Sequence, residues 1–248
     1  MFILQSPPPT RFDLNFSLLG IPIRVHPLFW LLTLFLGPRS GLLPVLIWIL
    51  VVFISIIVHE MGHALAFRRY GLGSRIVLHF AGGLAIPEAA PWGSGWASVS
   101  PSPRQHIIIS LAGPFAGFIL AVLILAGTIL LGGVPAGSLL GFIPVPQLLI
   151  PSTAGYVVNQ FIQMMLWVNI FWGLLNLLPI FPMDGGQVAR NILIQYDPFD
   201  GARKSIWLSV ITGGLMALVG LLFFNSIYMA ILFGFLAFQS YQSLSARY

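Results

Sequence analysis

Two long stretches of the chain contain no charged side chain. No Asp, Glu, Lys or Arg occurs between Arg104 and Asp184, and none occurs between Lys204 and Arg247. Because a spanning helix needs about 20 apolar residues, these stretches predict several crossings of a lipid bilayer. Only 7% of the 248 residues are charged and the mean hydropathy is +0.95, whereas a soluble domain has about 25% charged residues. The composition excludes a water-soluble globule, a nucleic-acid binder and a disordered chain.

The pattern predicts an all-α polytopic membrane protein that forms one transmembrane domain over residues 1–248. About six transmembrane helices are expected, at 24–37, 42–67, 107–131, 158–181, 205–224 and 226–243. The fourth of them continues as a broken span to residue 186. The β-rich segment Ile76–Ile86 predicts a small membrane-associated hairpin or sheet, and Ala89–Pro103 is rich in Pro, Ser, Gly and Trp and predicts a loop. No cleavable signal peptide is expected, and the absence of cysteine excludes disulfides.

The distribution of basic residues predicts the orientation in the membrane. With six spans, ten of the eleven Lys and Arg residues fall on one side and only Arg39 falls on the other. Cytoplasmic loops carry the excess of basic residues. We therefore expect a multi-pass protein of the plasma or inner membrane with both termini in the cytoplasm. The net charge of +5 is interpreted as membrane-orienting charge, and no nucleic-acid partner is expected.

The segment His59-Glu60-Met61-Gly62-His63 lies near the end of the second predicted span. Residues four apart share one face of a helix, so His59 and His63 can direct both imidazoles at one metal ion. Two neutral imidazoles suit zinc, and the carboxylate of Glu60 can act as a general base. An ionised carboxylate inside a membrane is costly without partners, which favours a functional site over a structural polar cluster.

A third zinc ligand is expected because catalytic zinc sites usually have three protein ligands. Asp184 follows the fourth span, which ends on the same side as the second, in the segment Asn176–Gly186 with the sequence NLLPIFPMDGG. Pro179 and Pro182 break the helical hydrogen-bond ladder there. Irregular backbone at membrane depth occurs where it is buried in protein or lines a wet cavity. The segment therefore predicts a broken helix that presents Asp184, while Asn176 could donate a hydrogen bond to a substrate carbonyl.

Together these segments resemble the site-2 protease family of intramembrane zinc metalloproteases. The family's HExxH motif matches His59 to His63, its Asn- and Pro-bearing motif ending in Asp-Gly matches Asn176 to Gly185, and its Gly-Pro motif matches Gly113-Pro114. The resemblance implies His59, His63 and Asp184 as ligands of one Zn²⁺ per chain. It also implies Glu60 as the catalytic base, Asn176 as an aid at the substrate carbonyl, and a sheet edge that receives substrate.

The resemblance also has limits. Many relatives have Asn where this chain has Gly117, and we interpret the Gly113 to Gly117 pattern as a surface for close helix packing. The chain is expected to be a minimal form without PDZ-like or CBS-like domains.

The favoured function is a zinc-dependent endopeptidase that cleaves within or near transmembrane segments of other proteins, as in regulated intramembrane proteolysis. The expected partners are a transmembrane protein substrate and the lipid bilayer, and the oligomeric state stays open. The alternative is a metal-binding membrane scaffold or transporter that performs no hydrolysis. Glu60 discriminates between them, because a transport site needs ligands but no base beside a ligand. A further alternative is a zinc protease that acts on lipidated soluble tails.

Overall fold

The protein is mostly helical, with a small sheet near the N-terminus. A computed structural model describes residues 6–88, 101–140, 143–149 and 155–245. The helices in these ranges are α1 (Pro27–Leu36), α2 (Leu42–Arg69), α3 (Pro103–Leu130), α4 (Gly155–Trp167), α5 (Gly173–Asn176), α6 (Asp184–Tyr196), α7 (Gly201–Leu222) and α8 (Ile227–Ser245), and a π-helical segment, Val168–Trp172, joins α4 to α5. The strands are β1 (Leu14–Leu18), β2 (Ile21–Val25), β3 (Gly73–His79), β4 (Gly82–Glu88), β5 (Val134–Leu140) and β6 (Ile143–Leu149). Most of the predicted loop Ala89–Pro103 lies outside the described residues.

Five helical stretches of the described chain are long and apolar enough to cross a membrane. They are Leu42–Arg69, Pro103–Leu130, Gly155–Asn176, Gly201–Leu222 and Ile227–Leu244, so the protein is a multi-pass membrane protein. The first predicted span, 24–37, contains only the ten residues of α1. At 1.5 Å per residue α1 is about 15 Å long, half of the hydrocarbon thickness. The predicted count of six spanning helices is therefore not confirmed, because β2 takes up the start of that segment.

The chain divides into two compact units. The first contains the N-terminal residues up to Ser100, most of α3, and the chain from Pro144 to Gly173, and the second contains the start of α3 and the chain from Leu174 onwards. Each unit is described by itself below.

The sheet of the first unit has the strand order β1-β2-β3-β4. β1 pairs antiparallel with β2, β2 pairs parallel with β3, and β3 pairs antiparallel with β4. Because β2 precedes α1 and β3 follows α2, the parallel pair shows that the chain leaves the sheet through α1 and returns to it through α2. The predicted hairpin at Ile76–Ile86 is confirmed, with β4 at the edge of the sheet and β3 in its interior.

The core of the first unit packs the sheet against α1 and α2. Apolar side chains alternate along β2, where Ile21, Ile23 and Val25 are buried and Pro22 is exposed. Alternation of this kind is typical of a strand with one buried face. These side chains form a cluster with residues of α1, α2 and β3: Phe29, Val52, Ile56, Ile57, Met61, Ala64, Ile76 and Leu78. The cluster fixes the end of α2 that carries the HExxH segment.

In the second unit α7 and α8 pack closely because glycines on α7 face α8. A Cβ atom added at Gly220 would lie 2.7 Å from Cβ of Met229, and one added at Gly213 would lie 3.0 Å from Cβ of Ala237. The segment that precedes α6 is anchored on this pair of helices. Its residue Ile180 is fully buried in a cluster with Phe233 and Leu236 of α8.

Candidate active site

The two histidines of α2 face each other as the spacing predicts. Their Nε2 atoms are 3.2 Å apart, with His63 buried and His59 half-buried. Zinc–nitrogen bonds of about 2.0–2.1 Å in tetrahedral geometry place two imidazole nitrogens about 3.3–3.4 Å apart. The imidazole pair therefore has the donor atoms and the spacing that zinc requires.

Gly113 of α3 provides space beside this pair. A Cβ atom added there would lie 2.8 Å from Nε2 of His59 and 2.5 Å from Cε1 of His63, and it would overlap Nε2 of His63. One helical turn of α2 away from His59, Gly62 packs against α3, since a Cβ added there would lie 2.9 Å from Cβ of Ala116. The Gly-Pro segment therefore does more than the helix packing that was predicted for it. Because Gly113 has no side chain, it also leaves room next to both nitrogen donors.

Glu60 is buried between α2 and the sheet. Its relative exposure is 5%, and a Cβ atom added at Gly83 of β4 would lie 2.5 Å from its Oε1 atom and 2.6 Å from its Cδ atom. The backbone of β4 therefore lies directly against the carboxyl group. Gly83 is not among the site residues that the sequence motifs predict. The signal was the Gly82-Gly83 pair, since Gly in a strand often marks the close approach of another group.

The outer edge of β4 lies next to Glu60. In an antiparallel pair, residues alternate between those that bond to the partner strand and those whose N–H and C=O groups point away from it. Pro87 has no N–H group, so its pair with Ser74 cannot exchange both hydrogen bonds. The alternation then places Ala85 and Gly83 in the same class as Pro87. Their backbone groups point away from β3, towards the edge of the four-stranded sheet that the described residues form.

A buried polar contact joins α2 to the π-helical segment. Asn169 donates from Nδ2 to Oγ of Ser55 at 2.9 Å and to the carbonyl of Met165 at 2.8 Å. Ser55 precedes His59 by one turn and lies on the same face of α2. A Cβ atom at Gly117 would lie 3.4 Å from Oδ1 of Asn169, so the glycine leaves room for this amide.

Asp184 and Asn176 belong to the second unit. Asp184 is the first residue of α6, and Asn176 is the last residue of α5; both are half-buried. A carboxylate in the first turn of a helix is stabilised by the helix dipole. The predicted break in the helix is confirmed, since residues 177–183 between α5 and α6 are not helical.

Two of the other histidines, His26 and His79, are buried and hydrogen-bonded near the sheet. Nδ1 of His26 accepts the N–H of Leu28 at 3.2 Å, and Nδ1 of His79 accepts the N–H of Ala81 at 3.2 Å. Their exposures are 7% and 2%. The side chain of His26 therefore caps the start of α1, and that of His79 stabilises the turn between β3 and β4.

A HExxH motif on a helix apolar enough to cross a membrane, with a buried glutamate directly after the first histidine, is typical of the membrane metalloprotease class. Residues 47–219 match the model of peptidase family M50. The chain belongs to this family, and the resemblance to the site-2 proteases is confirmed.

Relatives in this family are of moderate identity. The chain is 27% identical over 212 residues to a zinc metalloprotease of Methanocaldococcus jannaschii, in an alignment that covers 84% of this chain and 52% of the relative. It is 23% identical over 188 residues to stage IV sporulation protein FB of Bacillus subtilis, which covers 74% of this chain and 52% of the relative. The chain thus spans about half the length of these curated relatives.

A solved structure has the same fold. The site-2 protease from Methanocaldococcus jannaschii superposes with a TM-score of 0.55 at 24% identity, and the alignment covers 93% of this chain and 94% of that one. At this identity the similarity is evidence for the fold alone.

Proposed function

We propose that the protein is an intramembrane zinc-dependent endopeptidase that hydrolyses peptide bonds within or near transmembrane segments of substrate proteins. One observation carries this proposal. Glu60, which is buried, directly follows His59 on α2, and the Nε2 atoms of His59 and His63 are 3.2 Å apart, on a helix apolar enough to cross a membrane. A buried acid beside a pair of metal ligands suits metal-assisted hydrolysis, and membership of peptidase family M50 supports it.

His59, His63 and Asp184 would hold one zinc ion. Each offers a ligand atom of a type that zinc binds. Zinc, when bound, supplies Lewis-acid chemistry by activating water and polarising the scissile carbonyl. His59→Ala or Asp184→Ala should remove the zinc, which metal analysis of the purified protein measures.

Glu60 would act as the general base. Its carboxylate would take a proton from the attacking water and pass it to the nitrogen of the leaving amine as the C–N bond breaks. The backbone at Gly83 packs against this carboxylate and limits its orientations. Asn176 would donate a hydrogen bond from its amide to the carbonyl oxygen of the substrate, where negative charge develops.

The substrate would lie along β4 as an added strand. A helical substrate hides its carbonyl groups in its own hydrogen bonds, so it must be extended before attack. The outward-pointing backbone groups at Gly83 and Ala85 could bind an extended peptide with little dependence on its sequence. The contact between Gly83 and Glu60 would bring that peptide next to the base. The proposed location is the cell membrane, with both termini in the cytoplasm.

The decisive experiment replaces Glu60 by Gln in the full chain and measures cleavage of a model transmembrane substrate together with zinc content. We expect unchanged zinc and a loss of cleavage of about 10²- to 10⁴-fold or more, the usual contribution of general acid–base catalysis. Glu88→Gln is the matched control, because Glu88 is an exposed carboxylate whose Oε1 lies 3.4 Å from Nη1 of Arg75. Full activity in Glu60→Gln would end the protease proposal and favour a non-hydrolytic metal-binding protein.

A further inference from the structure

The segment that precedes Asp184 satisfies almost all of its backbone N–H groups locally. Pro179 and Pro182 have none to satisfy. Four N–H groups of the segment donate to carbonyl oxygens two or three residues earlier, at 2.7–3.2 Å: those of Leu177, Leu178, Ile180 and Met183. The N–H of Phe181 instead donates to Oγ of Ser209 on α7, at 3.0 Å. Ser209 is therefore the point at which α7 holds the backbone of this segment.

The hydroxyl of Ser209 is oriented for this task. It is 2% exposed, and it donates to the carbonyl of Ser205 at 3.0 Å. Since that bond uses the hydroxyl proton, a lone pair of Oγ is left to accept the N–H of Phe181. A backbone N–H that is shielded from water and has no acceptor destabilises the folded protein by its desolvation penalty. The bond to Ser209 therefore strongly favours one position of the peptide between Ile180 and Phe181.

The same peptide supports the start of α6. A Cβ atom added at Gly186 would lie 2.5 Å from the backbone nitrogen of Phe181 and 2.6 Å from the carbonyl oxygen of Ile180. Gly186 is two residues after Asp184, within the same first helical turn. Direct backbone packing thus connects the peptide that Ser209 holds to the turn that presents Asp184.

We propose that Ser209 is a positioning residue for zinc binding: it fixes the Ile180–Phe181 peptide and, through Gly186, the carboxylate of Asp184. This inference rests on the proposed function, in which Asp184 is a zinc ligand. Groups that hold metal ligands in place typically contribute 10- to 100-fold to metal affinity. Ser209 should do so although it lies on a different helix from the three ligands.

Ser205 provides a matched control. It lies one turn earlier on the same helix, is 5% exposed, and its hydroxyl donates to the carbonyl of Ala202 at 2.7 Å. Ser205→Ala and Ser209→Ala therefore remove the same atom from equally buried sites of α7. They differ in the bond to Phe181.

The experiment titrates zinc into the metal-depleted full chain in detergent, in competition with a chromophoric chelator. Ser209→Ala should weaken zinc binding by about 10- to 100-fold, whereas Ser205→Ala should bind like the wild type. Ser209→Thr should restore most of the affinity, because Thr Oγ1 can make the same bond to the carbonyl four residues earlier. Hydrogen exchange read by mass spectrometry should show faster exchange of the Phe181 amide in Ser209→Ala alone.

Wild-type zinc affinity in Ser209→Ala, or an equal loss in Ser205→Ala, would overturn the inference. The proposed function fails separately. If wild-type protein binds zinc, Ser209→Ala binds it more weakly and the wild type cleaves no transmembrane substrate, the positioning role stands and the protease proposal does not.

Discussion

Gly113→Ala tests whether the space beside the two imidazoles is the metal site. In the structure the new methyl carbon would lie 2.8 Å from Nε2 of His59 and 2.5 Å from Cε1 of His63, whereas ordinary contacts begin at 3.4 Å. The differences require shifts of about 0.6 Å and about 0.9 Å. Metal–ligand distances hold to within about 0.2 Å. We therefore expect zinc affinity to fall by more than 100-fold, the upper end of the effect of a group that only positions a ligand.

The matched control is Gly117→Ala, one turn later on α3. There the nearest atom to the new methyl carbon is Oδ1 of Asn169 at 3.4 Å, an ordinary contact. Both substitutions replace Gly by Ala in a helix interior, which favours the helix by about 1 kcal/mol. A loss of zinc in Gly113→Ala alone therefore cannot come from a weaker helix.

The assay is zinc content of the purified variants by elemental analysis, with far-UV circular dichroism to confirm that the helices form. Gly113→Ala should be helical and lack zinc, and Gly117→Ala should retain it. Zinc at the wild-type level in Gly113→Ala would refute the reasoning, because it would show that the metal does not bind in the space between the imidazoles and the backbone of α3.

Three further predictions concern the sheet and the membrane topology. Ala85→Pro should remove an outward N–H of β4 and slow cleavage without changing zinc content, and equal cleavage by wild type and variant would contradict strand addition. Reporter fusions at residues 2 and 248 should both report the cytoplasm because of the ten-to-one distribution of basic residues; one external terminus would show a miscounted span. Burial, followed by the positive charges of His26 and Arg24, lowers the pKa of His79 below its usual 6.5, so unfolding should take up a proton and stability should fall as the pH drops below about 6.5. Between pH 7.5 and 5.5, the thermal stability of His79→Asn should fall less than that of the wild type, because Asn keeps an acceptor that cannot be protonated. An equal fall in both proteins would exclude this role for His79.

The HExxH site could be predicted because its geometry is local. His59 and His63 are four residues apart on one helix, so helical geometry alone places their side chains on one face. The uninterrupted apolar sequence of α2 predicts that helix. The broken helix before Asp184 was also predictable, because Pro179 and Pro182 cannot take part in a helical ladder. The hairpin over Ile76–Ile86 followed from its β-rich composition and its Gly pair.

The first span was predicted less well. Apolar composition alone cannot tell a short helix preceded by a buried strand from a helix that crosses a bilayer. In this chain residues 24 and 25 pair with Val77 and Leu78 of a strand some fifty positions later. That partner is invisible in the local pattern, and it leaves α1 with ten residues.

By itself the sequence determined that the protein lies in a membrane, which helix carries the HExxH motif and which residues suit zinc chemistry. These features depend on composition and on spacing within one helix. The tertiary structure decided which backbone surrounds those residues. Gly83 lies on Glu60, Gly113 leaves space beside the imidazoles, and Ser209 accepts the N–H of Phe181. Each of these contacts joins residues more than twenty positions apart. The physical reason is that such contacts depend on how helices and strands pack, and the pattern of each segment alone does not contain that information.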